Sequence, residues 1–225
     1  MTESPAPTKP VRSYAAQDQR LADRITAARQ IIETVRADAE LTALLAGRGY
    51  DQAALAEGLV LQEAAQTAFA ARQMAMAALQ AANAALQVAD AAARRAYTDF
   101  RATARAVFTA PADRTALGLA GIAPKDTQKF ITQARASYAA AQAAPYQAPL
   151  STYGYPQTAI AAATAALDAL AAADERQNAA AGAARQATAD RDAAAKALTA
   201  WVSRFRQIAK VALRDRPALA QKLLL

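Results

Sequence analysis

The side chains best suited to chemistry are cations gathered in two short stretches. Arg94, Arg95, Arg101 and Arg105 form one set, and Arg204, Arg206, Lys210 and Arg214 form the other. Clustered guanidinium and ammonium groups attract phosphate backbones or anionic lipid headgroups. The chain carries a net charge of +7, and its distribution is uneven. Residues 94–135 hold eight basic and three acidic groups, and residues 204–222 hold six basic and one acidic. Residues 1–66 hold seven basic and nine acidic groups. Cations near a helix C-terminus also complement the helix dipole. An excess of five in each basic segment goes beyond that need, so the eight residues form a candidate patch for an anionic partner. No groove-reading motif accompanies them, and no aromatic residues are interleaved for base stacking.

Other chemistry is sparse. The chain has no Cys and no His. That removes disulfides, thiol nucleophiles, Cys/His zinc sites, imidazole acid–base catalysis and haem held by a protein imidazole. A ferritin-like di-metal centre built on Glu-x-x-His pairs is excluded too. Glu63 and Asp168 lie 105 residues apart, at equivalent places in a repeat described below. A facing carboxylate pair would bind a hard cation or share a proton; with Glu57, Asp174 and Glu175, these two read instead as solvated charges. Seven scattered Gly residues cannot build a phosphate-cradling loop. Tyr138, Tyr146, Tyr153 and Tyr155 gather near one connector, where they serve either loop packing or a stacking surface. The expectation is a protein without catalytic residues, metal or cofactor.

The elements that must position these residues are helices. Roughly a third of the chain is Ala, the strongest helix former, while β-branched and aromatic residues are few. The sequence also repeats. Gly49-Tyr50-Asp51-Gln52-Ala53-Ala54-Leu55 returns 105 positions later as Gly154-Tyr155-Pro156-Gln157-Thr158-Ala159-Ile160, and Phe100-Arg101 returns as Phe205-Arg206. Asp113-Arg114-Thr115-Ala116-Leu117 resembles Asp215-Arg216-Pro217-Ala218-Leu219, three residues out of that register. A constant offset indicates duplication of one helical unit.

Residues 1–15 read as a disordered, Pro-rich tail with no secretory signal. A helix is predicted over Gln17–Leu45, closed by Gly47 and Gly49. From Gln52 to Thr109 there is no Pro and one Gly, Gly58. One helix of about 58 residues would be roughly 87 Å long. Leu55, Gln62, Phe69, Met76, Asn83, Asp90 and Tyr97 follow a seven-residue spacing along it. Asn83 and Asp90 are polar breaks in that seam, marking a bend, a hairpin or a registry device; a single long helix is the reading adopted. A shorter helix is predicted over Lys125–Ala144, ended by Pro145 and Pro149, with a Tyr-rich connector beyond. Gln157–Arg214 again lacks Pro and has one Gly, Gly182. The two Gly-Tyr pairs read as helix ends with a Tyr packed over each joint.

The fold class expected is therefore all-α: an elongated antiparallel helical bundle or coiled coil. It is built from two tandem repeats, residues 16–123 and 124–225, each a short helix followed by a long one, packed as one domain. Small Ala seams would allow close helix approach. No stretch is long and apolar enough to cross a membrane, and the lack of Cys suits a cytoplasmic protein.

Such a chain suits a structural scaffold or self-assembling subunit whose partner is a protein or another copy of itself. Its Ala-rich, Cys-poor, long amphipathic helices are similar in kind to granule-associated phasins and exchangeable apolipoproteins. That likeness implies a coat on an apolar or anionic surface. The basic segments offer a third reading, nucleic-acid binding.

Overall fold

Alanine favours helix along most of the chain, because it loses no side-chain entropy there. The computed structural model describes residues 14–223, and among them there is no strand. Eight helices follow in chain order: α1 Tyr14–Ala37, α2 Ala39–Ala46, α3 Gln52–Val107, α4 Pro111–Ala116, α5 Thr127–Ala141, α6 Ala144–Thr152, α7 Gln157–Ala212 and α8 Pro217–Lys222. The two long Pro-free segments are each one continuous helix of 56 residues. The hairpin alternative at Asn83 and Asp90 is thereby excluded. The expected tail at residues 1–15 falls almost wholly outside the described residues, which begin with α1 at Tyr14.

The short helices are more finely divided than expected. The helix predicted over Gln17–Leu45 is broken at Asp38, which adopts an extended conformation. Its carboxylate accepts the Glu40 and Leu41 N–H groups at 3.0 and 3.1 Å and so caps α2. Thr42 Oγ1 ties the break together by donating to Val35 O. In α5, Asp126 caps the start by accepting the Lys129 N–H. Pro145 does not end this helix. It opens α6, in a first turn where a missing N–H costs nothing. Pro149 lies inside α6, and Tyr146 belongs to α6 rather than to a connector. Pro also opens α4 and α8.

Two compact units emerge. One joins the residues up to Met74 with those from Arg185 onward, and the other is Ala75–Ala184. In the first, Ile32, Val35, Leu41 and Leu45 of α1 and α2 bury against Leu55 of α3, Trp201 and Phe205 of α7 and Leu213 just beyond it. In the second, Tyr97 and Phe100 of α3 bury with Phe130 and Tyr138 of α5, Leu150 of α6 and Ile160 of α7. Between residues 73 and 92 α3 has no fully buried residue, and between 174 and 197 α7 has only Ala184.

Each unit has the same joint. Gly49 and Gly154 take φ of +86° and +89°, a left-handed turn that a side chain would strain. The following Tyr N–H then reaches back to the carbonyl five residues earlier: Tyr50 to Leu45 at 3.0 Å, Tyr155 to Leu150 at 2.9 Å. This closes the orphan carbonyls of the ending helix. It also turns each ring inward. Tyr50 packs edge-on against Phe205 at 5.1 Å, and Tyr155 packs edge-on against Phe100 at 5.5 Å.

Gly58 faces the Trp201 ring, whose Cη2 would lie 2.6 Å from an added Cβ. Trp201 is itself fixed between Tyr50 and Phe205, so it cannot yield. Gly182, also inside a long helix, has open space around it. Gly→Ala gains about 1 kcal/mol of helix propensity, whereas forcing an overpacked core costs about 1–3 kcal/mol. Gly58→Ala is therefore expected to destabilise and Gly182→Ala to stabilise by about 0.5–1 kcal/mol. Urea unfolding of the two variants checks the opposite signs.

Candidate interaction surfaces

Most of the first basic set has a structural task. Between α4 and α5 the chain runs irregularly over residues 117–126, and such a segment leaves carbonyls without helical partners. The arginines of α3 supply the donors. Arg101 Nη2 donates to Leu119 O at 3.0 Å and to Gly121 O at 2.7 Å. Arg105 donates to the same two carbonyls. Arg94 bonds Asp90 at 2.8 Å through Nε, and reaches Pro124 O and Lys125 O at 2.8 and 2.9 Å. Its guanidinium also stands 4.4 Å from the centroid of the Phe130 ring. Arg114 binds Phe108 O and Arg105 O. Residues 117–126 thus form a strap fastened to α3, with Leu117 and Leu119 buried beneath it. Of the four residues expected in the first patch, only Arg95 is exposed and without a hydrogen bond among the described residues.

The second set is arranged differently. Arg204, Arg206 and Lys210 on the C-terminal part of α7 and Arg214 in the turn just after it are all exposed and make no hydrogen bond or ion pair among the described residues. Their neighbours beyond the helix are engaged instead: Arg216 with Glu40 at 3.1 Å and Lys222 with Asp38 at 2.7 Å. The Lys222 hydrogen bond, aided by the Leu41 N–H, holds the Asp38 carboxyl below its ordinary range.

Beside this set lies a groove between α1 and α7, within the first unit. A cavity of about 130 Å³ has a floor of Leu21, Ala28, Leu198 and Val202, with Arg24 and Arg206 on its edge. A shallower hollow continues past Lys196, Thr199 and Ser203. Further along, Asp18 accepts from Arg72 at 2.8 Å and Arg191 at 3.0 Å, joining α1, α3 and α7.

A third surface runs on α3. Val60, Met74 and Val88 are 63%, 69% and 71% exposed, too much for core positions, and they recur every 14 residues. Between them the exposed positions on their line are uncharged, Ala64 and Thr67 in the first unit and Ala78, Ala81 and Ala85 in the second, while the exposed Glu57 and Arg95 bound the line at its two ends.

The remaining sequence candidates separate clearly. Glu63 and Asp168 are exposed, and Asp168 pairs with Arg135 at 2.6 Å. Among the described residues no group of three acidic side chains converges as metal ligands would. Tyr138 is buried with its hydroxyl unpaired, and burial pushes its phenol well above the ordinary range. Tyr155 is half-buried and raised for the same first reason, and Tyr146 contacts Asp113. Only Tyr153 is exposed, so these tyrosines make no stacking platform. The groove and the strap escaped sequence reasoning. The available signal was an irregular Gly118–Gly121–Pro124 stretch lying close in sequence to arginines spaced along one helix.

The chain matches no protein-family model, no curated protein and no solved structure. No helix among the described residues is long and apolar enough to cross a membrane.

Removing Arg101 takes a buried donor from two carbonyls of the strap, while removing Arg206 strands nothing. Arg101→Ala is expected to cost about 2–4 kcal/mol and Arg206→Ala less than about 0.5 kcal/mol. Chemical denaturation of both variants checks the difference.

Proposed function

We propose that this chain is a non-enzymatic structural protein, an Ala-rich helical scaffold of two tandem units that self-associates through the outer seam of α3. The observation that carries the reading is that seam: Val60, Met74 and Val88 stand out at a coiled-coil spacing, and the exposed residues in line between them are uncharged. A large side chain gains about 1.5–3 kcal/mol on full burial. Two copies meeting along the seam would bury six such residues. Association itself costs several to about 15 kcal/mol, so a dimer of roughly micromolar affinity is expected.

Duplication is supported by the element order. Helices α3 and α7 have equal length and begin 105 residues apart, and α4 and α8 both have six residues and begin 106 apart. The helix starts favour pairing Pro111 with Pro217 rather than Asp113 with Asp215. Buried positions Ile25, Ala28, Ile31, Ile32 and Val35 of α1 correspond, 106 residues on, to the buried Ile131, Ala134, Ser137, Tyr138 and Ala141 of α5. The repeats proposed are residues 16–123 and 124–225, and each compact unit takes elements from both. An elongated coiled-coil arrangement in the cytoplasm belongs to the same proposal.

A second reading, attachment to an anionic lipid or nucleic-acid surface, draws on the exposure of Arg204, Arg206, Lys210 and Arg214. It rests on half the expected cations, since most of the first set is occupied by the strap.

Sedimentation velocity tests the seam. The wild type is expected to shift from monomer to dimer across the micromolar range, and the triple variant Val60→Glu/Met74→Glu/Val88→Glu to stay monomeric with unchanged helix content. A wild type that remains monomeric at hundreds of micromolar removes the proposal.

A further inference from the structure

We infer that the α1/α7 groove of the first unit is a docking site for an extended segment of an acidic partner polypeptide, seated as residues 117–126 are seated in the second unit. The inference rests on the duplication reading, because it compares the two units position by position. At an offset of 105, Arg206 and Lys210 of α7 correspond to Arg101 and Arg105 of α3. In the second unit that pair grips the carbonyls of Leu119 and Gly121, and Leu119 is buried alongside. In the first unit the same pair of cations is exposed and has no acceptor among the described residues. The apolar floor is already present, because the cavity of about 130 Å³ over Leu21, Ala28, Leu198 and Val202 opens beside Arg206. It has room for one aliphatic side chain, as an extended segment would supply while offering its carbonyls to Arg206 and Lys210.

The differences between the units select the occupant. Phe130, which lies under the Arg94 guanidinium that holds the strap, corresponds at the α1/α5 offset of 106 to Arg24, and Ala91 corresponds at 105 to Lys196 beside the groove. The groove is therefore rimmed by Arg24, Lys196 and Arg206, and Lys210 follows Arg206 four residues further along α7. Of the acids on the adjoining stretches of α1 and α7, Asp192 is paired with Arg191 and Asp18 with Arg72 and Arg191, whereas Asp23 takes a hydrogen bond from the neutral Gln19 and keeps its charge. A rim of net positive charge favours a segment of negative charge. The chain's own residues 1–13 carry Lys9 and Arg12 against Glu3, the same sign as the rim, so a separate partner fits better.

The test uses the full chain and two fluorescent decapeptides in anisotropy titrations. One has the strap sequence, Leu-Gly-Leu-Ala-Gly-Ile-Ala-Pro-Lys-Asp, and the other carries Glu in place of its Lys. Both are expected to bind saturably, the acidic form several-fold tighter at low salt. The double variant Arg206→Ala/Lys210→Ala should weaken both by roughly tenfold or more, and Arg95→Ala should change neither. Both side chains are exposed, so the double variant should keep its helix content and melting temperature. Repeating the titration in the Val60→Glu/Met74→Glu/Val88→Glu background separates this inference from self-association: binding retained there supports the groove whatever the seam does. The proposal is overturned by any one of four results. These are no binding of either peptide, binding indifferent to Arg206 and Lys210, binding seen only after residues 1–13 are removed, and phosphatidylserine vesicles or a single-stranded oligonucleotide binding through these cations while the peptides do not.

Discussion

A buried alanine removes a single methyl from water, worth about 0.8 kcal/mol, and this small number governs the whole molecule. Alanine makes each long helix cheap to form but gives it little with which to hold a neighbour. Cohesion must come from the few large side chains, and these are concentrated where helices end and turn. In one unit Tyr50, Trp201 and Phe205 interlock; in the other Tyr97, Phe100, Tyr138 and Tyr155 do so. The left-handed glycine before Tyr50 and Tyr155 matters because it aims the ring. Gly58 matters because the Trp201 ring needs the space a methyl would take.

Electrostatics completes what the apolar core cannot. The strap at residues 117–126 has little regular backbone pairing, and arginine supplies donors that neighbouring peptide groups would otherwise provide. A cation facing carbonyls in this way is a fastening, and it is withdrawn from any external anion. The matching cations on α7 have nothing of the kind to hold among the described residues. The exposed features that result are a line of apolar side chains on α3 and a basic-rimmed groove beside α7.

Much of the fold was legible in the residues. Absence of Pro and the near-absence of Gly predicted both long helices, and the Gly-Tyr pairs marked the joints. Other features depended on information that local pattern does not carry. The apolar period of α1 runs on into α2, so the break at Asp38 was hidden, although an Asp with free N–H groups two and three residues ahead is a capping signal. Pro145 reads equally well as the end of one helix or the first turn of the next, and only the neighbouring chain decides. The candidate patch was legible as charge, but charge alone does not distinguish Arg101, which grips carbonyls, from Arg206, which does not. That difference lies in a segment 18 to 20 residues away in sequence.

The claim that large side chains anchor parts of a helix which alanine merely continues is tested most directly by amide hydrogen exchange along α3, measured at concentrations where the protein is monomeric. Amides near Leu55–Ala65 and Ala93–Ala104 should open only with their core clusters. Those of residues 76–90, where no side chain is fully buried, should exchange roughly tenfold faster or more through local opening. Uniform protection from one end of α3 to the other would contradict the account.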